Sequence, residues 1–441
     1  MKRLLSLLLC AVLALFCATT AQAAGVSITL TASEYALHYA FDTGAQDPFV
    51  ILEYATPAEK GWMMLYSADG HFEGDVSLAY SGAGGKTSVT LTSARTTGSI
   101  GKTSTTLPKA ADYQKPTGKS NAKVTDFVLT ETPEGFHYAF NAAGTDYMLL
   151  YWRSKEQTVT QPVYPDENGH YEGDVISELT FARTQFTVQV KSGSGSMKKE
   201  ATVRKGYQAP EAPQRQEGRL SGVTVCIDAG HQENGRFVNE PIGPGLTGST
   251  SGKGGMAQGT KTNRRESIVC LEIGMLLRDE LLRQGANVIM TREDQTTFHT
   301  NIERCEIAEA GGAQMMLRLH CNNSSNHSKR GIQVYGPLNS DYAKAVADAD
   351  TYREMGQKLL DAMKTRVGMT LANSTGMVRL NDNYVGNNWA KMMCFLVEMG
   401  YLSNPAEEYL LVTPVYQQWL AEGMADGVYE IAVARGWVQA Q

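Results

Sequence analysis

Val223-Thr224-Val225-Cys226-Ile227 is an unbroken apolar and β-branched run that leads straight into Asp228-Ala229-Gly230-His231. A run without polar alternation reads as a strand buried on both faces, as in a parallel sheet. Helical spacing follows at 267–284, then a second apolar strand at 286–290 and a third at 315–319. A helix is expected at 352–367, a strand at 393–397 and a final helix at 415–434. Strands alternating with helices predict an α/β domain over 220–441, with a mostly parallel sheet flanked by helices. In such sheets the working side chains stand at the carboxyl ends of the strands.

Three of the expected strands end in groups that ligate metals or move protons. The first reaches His231, the third runs into Arg318-Leu319-His320-Cys321-Asn322, and the last into Leu396-Val397-Glu398-Met399-Gly400. Glu266 opens the first helix, where the helix dipole favours a carboxylate in any case. Two neutral imidazoles and one carboxylate suit Zn²⁺ and leave a fourth tetrahedral position for water. A second, non-ligating carboxylate is then needed to take and return a proton. Cys321 is expected to face away from His320, because successive strand residues alternate. Glu272 falls on a different helix face from Glu266. Asp228 reads either as a partner that orients His231 or as the cap of a following turn. His299 and His327 stand in polar, loop-like contexts that read as simple exposure more readily than as substrate contacts.

The N-terminal half is built differently. Leu37-His38-Tyr39-Ala40-Phe41 returns as Phe136-His137-Tyr138-Ala139-Phe140, and Gly70-His71-Phe72-Glu73-Gly74-Asp75-Val76 returns as Gly169-His170-Tyr171-Glu172-Gly173-Asp174-Val175. Both pairs keep the same offset, which points to a duplication. Short alternating runs between turn residues predict two tandem all-β, sandwich-like repeats, at 24–118 and 119–208, then a linker at 209–219. The repeated histidines read as conserved packing within a duplicated strand or turn. The lysine-rich join at 101–123 reads as solvated linker, with contact to an anionic polymer as the alternative.

The chain of 441 residues has ordinary globular composition, with 42% hydrophobic and 20% charged residues. Its net charge of −6 argues against nucleic-acid binding. Met1-Lys2-Arg3 followed by the apolar 4–16 and Ala21-Gln22-Ala23 predicts a signal peptide over 1–23, cleaved to release a secreted chain. No transmembrane segment is expected after that cleavage. Of seven cysteines, two lie in the leader, and an odd remainder argues against a disulfide framework. The stretch 248–254 lacks the spacing and the Ser or Thr of a phosphate loop, so nucleotide binding is excluded there.

Taken in order, Asp228-Ala229-Gly230-His231, Glu266, Arg318-Leu319-His320-Cys321-Asn322 and Leu396-Val397-Glu398-Met399-Gly400-Tyr401-Leu402-Ser403-Asn404 resemble the zinc-dependent N-acetylmuramoyl-L-alanine amidases of the third amidase class. The likeness covers 222–436, and Met290-Thr291-Arg292, Glu303-Arg304 and Asn388-Trp389 add to it. It implies Zn²⁺ held by His231, Glu266 and His320, with Glu398 as catalytic base and acid. It also implies a secreted, wall-associated or extracellular enzyme that cleaves the amide between the lactyl group of N-acetylmuramic acid and L-alanine of the peptidoglycan stem. Under that reading Arg292 and Arg304 either grip stem carboxylates or form structural ion pairs. The β repeats would contact a cell-wall polymer or a partner. A zinc peptidase acting within the stem and an inactive wall-binding protein are the alternatives. Two departures stand out: Gln232 follows the first histidine where the family commonly has glycine, and the glycine-rich stretch 232–265 is long enough to be a lid or plain disorder.

The leader reading predicts that the exported protein begins at Ala24. N-terminal sequencing of secreted material checks this, and an intact Met1 on exported protein contradicts it.

Overall fold

The computed structural model describes residues 18–440, apart from 23–25, 45–46, 95–97, 114–122, 133–134, 146, 155–156, 177–184, 194, 205–209, 233–237, 251–254, 263 and 369–376. The chain divides into two compact units, one reaching Lys205 and the other running from Gly206 to Gln441. No helix among the described residues is long and apolar enough to cross a membrane.

The first unit is all β, and its strand pairs are antiparallel. One sheet orders Ala18–Gln22, Ser27–Ala32, Ala36–Asp42 and His71–Ser77, and another orders His170–Ile176, Gly135–Ala142 and Val124–Thr132. The two quoted sequence blocks pair in the same way, His38 opposite Asp75 and His137 opposite Asp174. Phe41 stacks on Phe72 with centroids 4.8 Å apart, and Phe140 on Tyr171 at 4.6 Å. The hydroxyls of Tyr39 and Tyr138 lie over Gly74 and Gly173, where an added Cβ would sit 2.8 Å away in each case. Glycine is needed at both positions because a ring crosses the backbone there. Each of the four histidines in these blocks bonds an acidic or amide neighbour: His38 with Asp75, His71 with Asp42, His137 with Asp174 and His170 with Asn141.

The expected pair of separate sandwiches differs from what is observed in one respect. Glu59–Tyr66 pairs with Gln157–Val163, so a single eight-stranded sheet runs through both halves of the unit. At this seam the buried Glu59 accepts from Tyr80 N at 3.0 Å, Ser81 Oγ at 2.8 Å and Gln157 Nε2 at 3.2 Å. An exposed edge is an invitation to pair, and each half uses the other to cover one. Within the expected leader, Ala18–Gln22 pairs with Ser27–Ala32. The rest of 1–23 lies outside the described residues, as does the boundary expected at 208–209.

The second unit contains β1 (Thr224–Ala229), α1 (Glu266–Arg283), β2 (Asn287–Met290), α2 (Asn301–Ala310), β3 (Met315–Asn322), β4 (Gln333–Gly336), α3 (Asp341–Val346), α4 (Ala349–Val367), β5 (Met377–Leu380), α5 (Val385–Trp389), β6 (Met393–Tyr401), α6 (Glu407–Leu411) and α7 (Pro414–Ala434). The sheet order is β2-β1-β3-β6-β4-β5. Pairings from β2 to β6 are parallel, while β4 runs antiparallel to β6. Val225, Ile227, Leu317, Leu319 and Val397 are fully buried, as continuous apolar strands require. Helices α1, α4 and α7 pack together, and α2 packs with α5. α2 begins in a capping box, with Glu303 N donating to Thr300 Oγ1 and Thr300 N donating to Glu303 Oε2.

The expected linker at 209–219 is tied down in its described part. Arg215 Nη1 donates to Gly285 O, Gln216 N to Leu282 O, and Arg278 Nη2 to Pro210 O. The last carbonyls of α1 lack helical partners, and Gln216 supplies one to Leu282. Cys226, Cys270, Cys305, Cys321 and Cys394 are all buried and free.

The seam inside the β unit is open to test. Glu59→Ala removes the acceptor shared by Tyr80 N, Ser81 Oγ and Gln157 Nε2 and is expected to destabilise that unit by about 2 kcal/mol. Thermal unfolding of the full chain checks this, and an unchanged transition contradicts it.

Candidate metal centre

The centre is assembled by two strand ends and one helix start. β1 ends at Ala229, and His231 follows with φ of 58°. A residue with a side chain adopts this left-handed backbone at a cost of about 1–3 kcal/mol, so its surroundings must hold it there. β3 presents His320, and Glu266 is the first residue of α1. His231 Nε2 stands 3.1 Å from Glu266 Oε1, and His320 Nδ1 stands 2.9 Å from the same oxygen. The two imidazole rings are 4.9 Å apart and inclined at 79°. Ligand-type atoms of His231, Glu266 and His320 all lie within 4.8 Å of one another, and among the described residues no other group of three does so.

The carboxylate is fixed from behind. Ala257 N donates to Glu266 Oε2 at 2.7 Å, and Cys321 N donates to Oε1 at 3.1 Å. Burial pushes the Glu266 carboxyl upward, but bonds and charge from His231 and then His320 outweigh it and hold the group ionised, well below the usual range. Burial lowers His320, which keeps it in the neutral form that binds metals. His320 Nε2 is buried with no partner among the described residues. Two imidazoles, one ionised carboxylate and an orphaned ring nitrogen fit a Zn²⁺ ion.

Glu398 joins them from β6. In the register of the sheet it lies beside His320 on β3, and on its other side beside Gln333 on β4. Its Oε2 is buried without a partner. Burial first, and the charge of Glu266 second, push its carboxyl well above the usual carboxylate range. An acid poised to stay protonated beside a ligand set is the property a proton-transfer group needs.

Asp228 performs neither role expected of it. Fully buried, it accepts from Arg318 Nε at 2.9 Å, from Thr291 Oγ1 at 2.8 Å and from Arg304 Nη1. Burial raises its carboxyl, but Arg304 and Arg318 prevail and hold it well below the usual range. Arg304 passes the constraint on, donating to His231 O at 3.2 Å and to Gln232 Oε1 at 2.5 Å. Arg292 binds Ala229 O at 2.8 Å, Gly230 O at 2.9 Å and Ser267 O at 2.7 Å. Burial, with Arg304 second, pulls its guanidinium down to about 10. A grip on stem carboxylates is therefore corrected for both arginines: at 2% and 4% exposure their donors are spent on the floor of the centre.

The remaining candidates fall elsewhere. Cys321 is buried, and Glu272 bonds Arg264 and Gln417 Nε2. His327 Nδ1 meets Ser403 O at 2.6 Å, and His299 offers its carbonyl to Arg304. The described parts of 232–265 are anchored rather than loose. Glu240 accepts from Asn301 and Ile302 at the start of α2, Trp389 Nε1 donates to Pro241 O, and Glu408 collects Thr260, Lys261 and Thr262. Arg318 stands out in hindsight, since a cation inside an apolar strand demands a buried anion and Asp228 is on the neighbouring strand.

A family model described as N-acetylmuramoyl-L-alanine amidase matches residues 225–430. The germination-specific N-acetylmuramoyl-L-alanine amidase of Bacillus subtilis (strain 168) is 26% identical over 231 residues, covering 49% of this chain and 83% of its own length. The probable cell wall amidase LytH of Staphylococcus aureus is 27% identical over 218 residues, covering 48% of this chain and 60% of its own. A solved N-acetylmuramoyl-L-alanine amidase from Clostridium difficile 630 is 24% identical with a TM-score of 0.38, over 48% of this chain and 96% of that one.

The buried ion cluster beneath the centre carries a prediction. Asp228→Asn strands two guanidinium groups and is expected to lower stability by about 3–5 kcal/mol at neutral pH. A depressed folded-state pKa contributes stability above the ordinary aspartate range near pH 4 and loses it in acid, so wild type and variant converge as pH falls. Denaturation measured at several pH values checks both statements, and a neutral-pH loss below about 1 kcal/mol contradicts them.

Proposed function

We propose that this chain, whose residues 225–430 belong to the N-acetylmuramoyl-L-alanine amidase family, is a secreted, zinc-dependent enzyme that frees the peptidoglycan stem by cutting the lactyl–L-alanine amide. Peptidoglycan amidase activity follows from the family. One observation carries the proposal: His231, Glu266 and His320 converge within 4.8 Å, and Glu398 stands beside His320 with an unpartnered buried oxygen.

His231, Glu266 and His320 would hold the ion. Bound there, Zn²⁺ supplies Lewis acidity toward the amide carbonyl and lowers the pKa of a water. Glu398 takes the proton of the attacking water and returns it to the departing nitrogen of L-alanine. Its environment suits both duties. The high pKa favours holding the proton after it is taken, and added positive charge at the ligands would draw that pKa back toward neutrality. Arg292 and Arg304 hold the carbonyls of Ala229, Gly230 and His231, which keeps the first ligand in its left-handed backbone. The β unit would keep the enzyme on the wall or on a partner; the stretch 101–123, expected as a solvated join, is a sheet strand through Leu107, which pairs along Gly85–Ser93.

Glu398→Gln is expected to lower lactyl–alanine cleavage by about 10²–10⁴-fold while zinc content stays at one ion per chain. His231→Ala is expected to lose the ion itself. Digestion of defined muropeptides with products identified by mass, alongside metal analysis, checks both. New stem fragments with an intact lactyl linkage point to a stem peptidase instead, and a Glu398→Gln protein as active as the parent removes Glu398 from the mechanism.

A further inference from the structure

Glu398 has a neighbour on the side away from the metal ligands. Gln333 on β4 is its register partner in the antiparallel pair with β6. Residues directly opposite in such a pair carry their side chains on the same face, with Cβ atoms about 5 Å apart. His320, Glu398 and Gln333 therefore form one row across three adjacent strands.

The carboxamide of Gln333 is held in one orientation. Asn323 N donates to Asn322 Oδ1 at 2.8 Å, which turns the Asn322 amide nitrogen outward. That Nδ2 donates to Gln333 Oε1 at 3.1 Å, and Tyr335 OH donates to the same oxygen at 2.7 Å. With its oxygen doubly engaged, Gln333 directs its two N–H donors the other way. Among the described residues Nε2 takes no partner. Gln333 is only 5% exposed. A nearly buried side chain locked by two donors, with its own donors unused, is arranged to meet something from outside the chain.

Resting on the amidase reading above, we propose that Gln333 Nε2 donates to the carbonyl oxygen of the first stem residue, on the leaving-amine side of the scissile bond. The order of the row assigns the side. The attacked carbonyl belongs near His320, and the departing nitrogen belongs over Glu398, which must protonate it. A residue's own carbonyl oxygen lies roughly 3 Å from its nitrogen, and neighbouring strands lie about 4.8 Å apart. One strand beyond Glu398 is the place where that oxygen arrives. Gln333 is thus a substrate-positioning residue that selects a peptide, rather than a simple amine, as the leaving group.

The test uses the full chain and two probes: a free stem tripeptide beginning with L-alanine, and the same peptide with its first carbonyl reduced to a methylene. Calorimetric titration of wild type is expected to favour the carbonyl form by about tenfold. Gln333→Glu keeps an acceptor for Tyr335 and Asn322 but lacks the donors. Gln333→Met keeps the volume and lacks both. Each variant is expected to bind the two peptides equally, to bind zinc as wild type does, and to lose muropeptide cleavage mainly through a higher KM. If either variant binds zinc normally and still discriminates as wild type does, the assignment of Gln333 fails. A wild-type protein that cuts muropeptides but shows no tenfold preference overturns it as well. A wild type that leaves the lactyl–alanine amide intact overturns the amidase reading itself, so the two failures are distinguishable.

Discussion

A single buried carboxylate organises the candidate metal centre from below. Asp228 carries no ligand and touches no solvent, yet it joins β1 to β3 through Arg318 and to α2 through Arg304. Two cations around one anion are tolerated in the interior only because every partner is present, and removal of one leaves charge unpaired in a medium that penalises it. Through Arg304 the constraint reaches the His231 carbonyl, and Arg292 clamps Ala229 and Gly230 beside it. The strained turn that delivers His231 is thus braced by fixed charge rather than by its own preference.

Above that floor the chemistry divides between two carboxylates with opposite environments. Glu266 faces two imidazoles and two backbone N–H groups and stays ionised. Glu398 is desolvated by burial and faces the charge of Glu266, and its proton is held tightly. One is suited to holding a cation and the other to moving a proton, and pKa values driven apart in this way mark acid–base function.

Much of this was legible in the residues. Working side chains of a parallel sheet stand at strand ends, which makes His231, His320 and Glu398 legible as candidates, while Glu266 and the role of each residue rest on the family resemblance. Other features depend on long-range partners. Arg292 and Arg304 look alike in sequence whether they hold substrate or backbone, and only the position of Asp228 and the β1 carbonyls decides between them. β4 spans Gln333–Gly336, too short for periodicity to register, and its antiparallel direction is set by pairing with β6. α2 is announced by the capping box of Thr300 and Glu303, but its 10 residues are too few for helical periodicity to stand out. In the β half, alternation predicted strands, but the seam between Glu59–Tyr66 and Gln157–Val163 follows from edges finding each other in space.

The claim on which the rest turns is that three side chains, distant in order, share one ion and leave a vertex free. Crystals grown with Zn²⁺ and measured on either side of the zinc absorption edge test it directly. One anomalous peak is expected in the second unit, bonded by His231, Glu266 and His320 with solvent or substrate completing the sphere. A peak elsewhere, or a fourth ligand contributed by the chain, would contradict it.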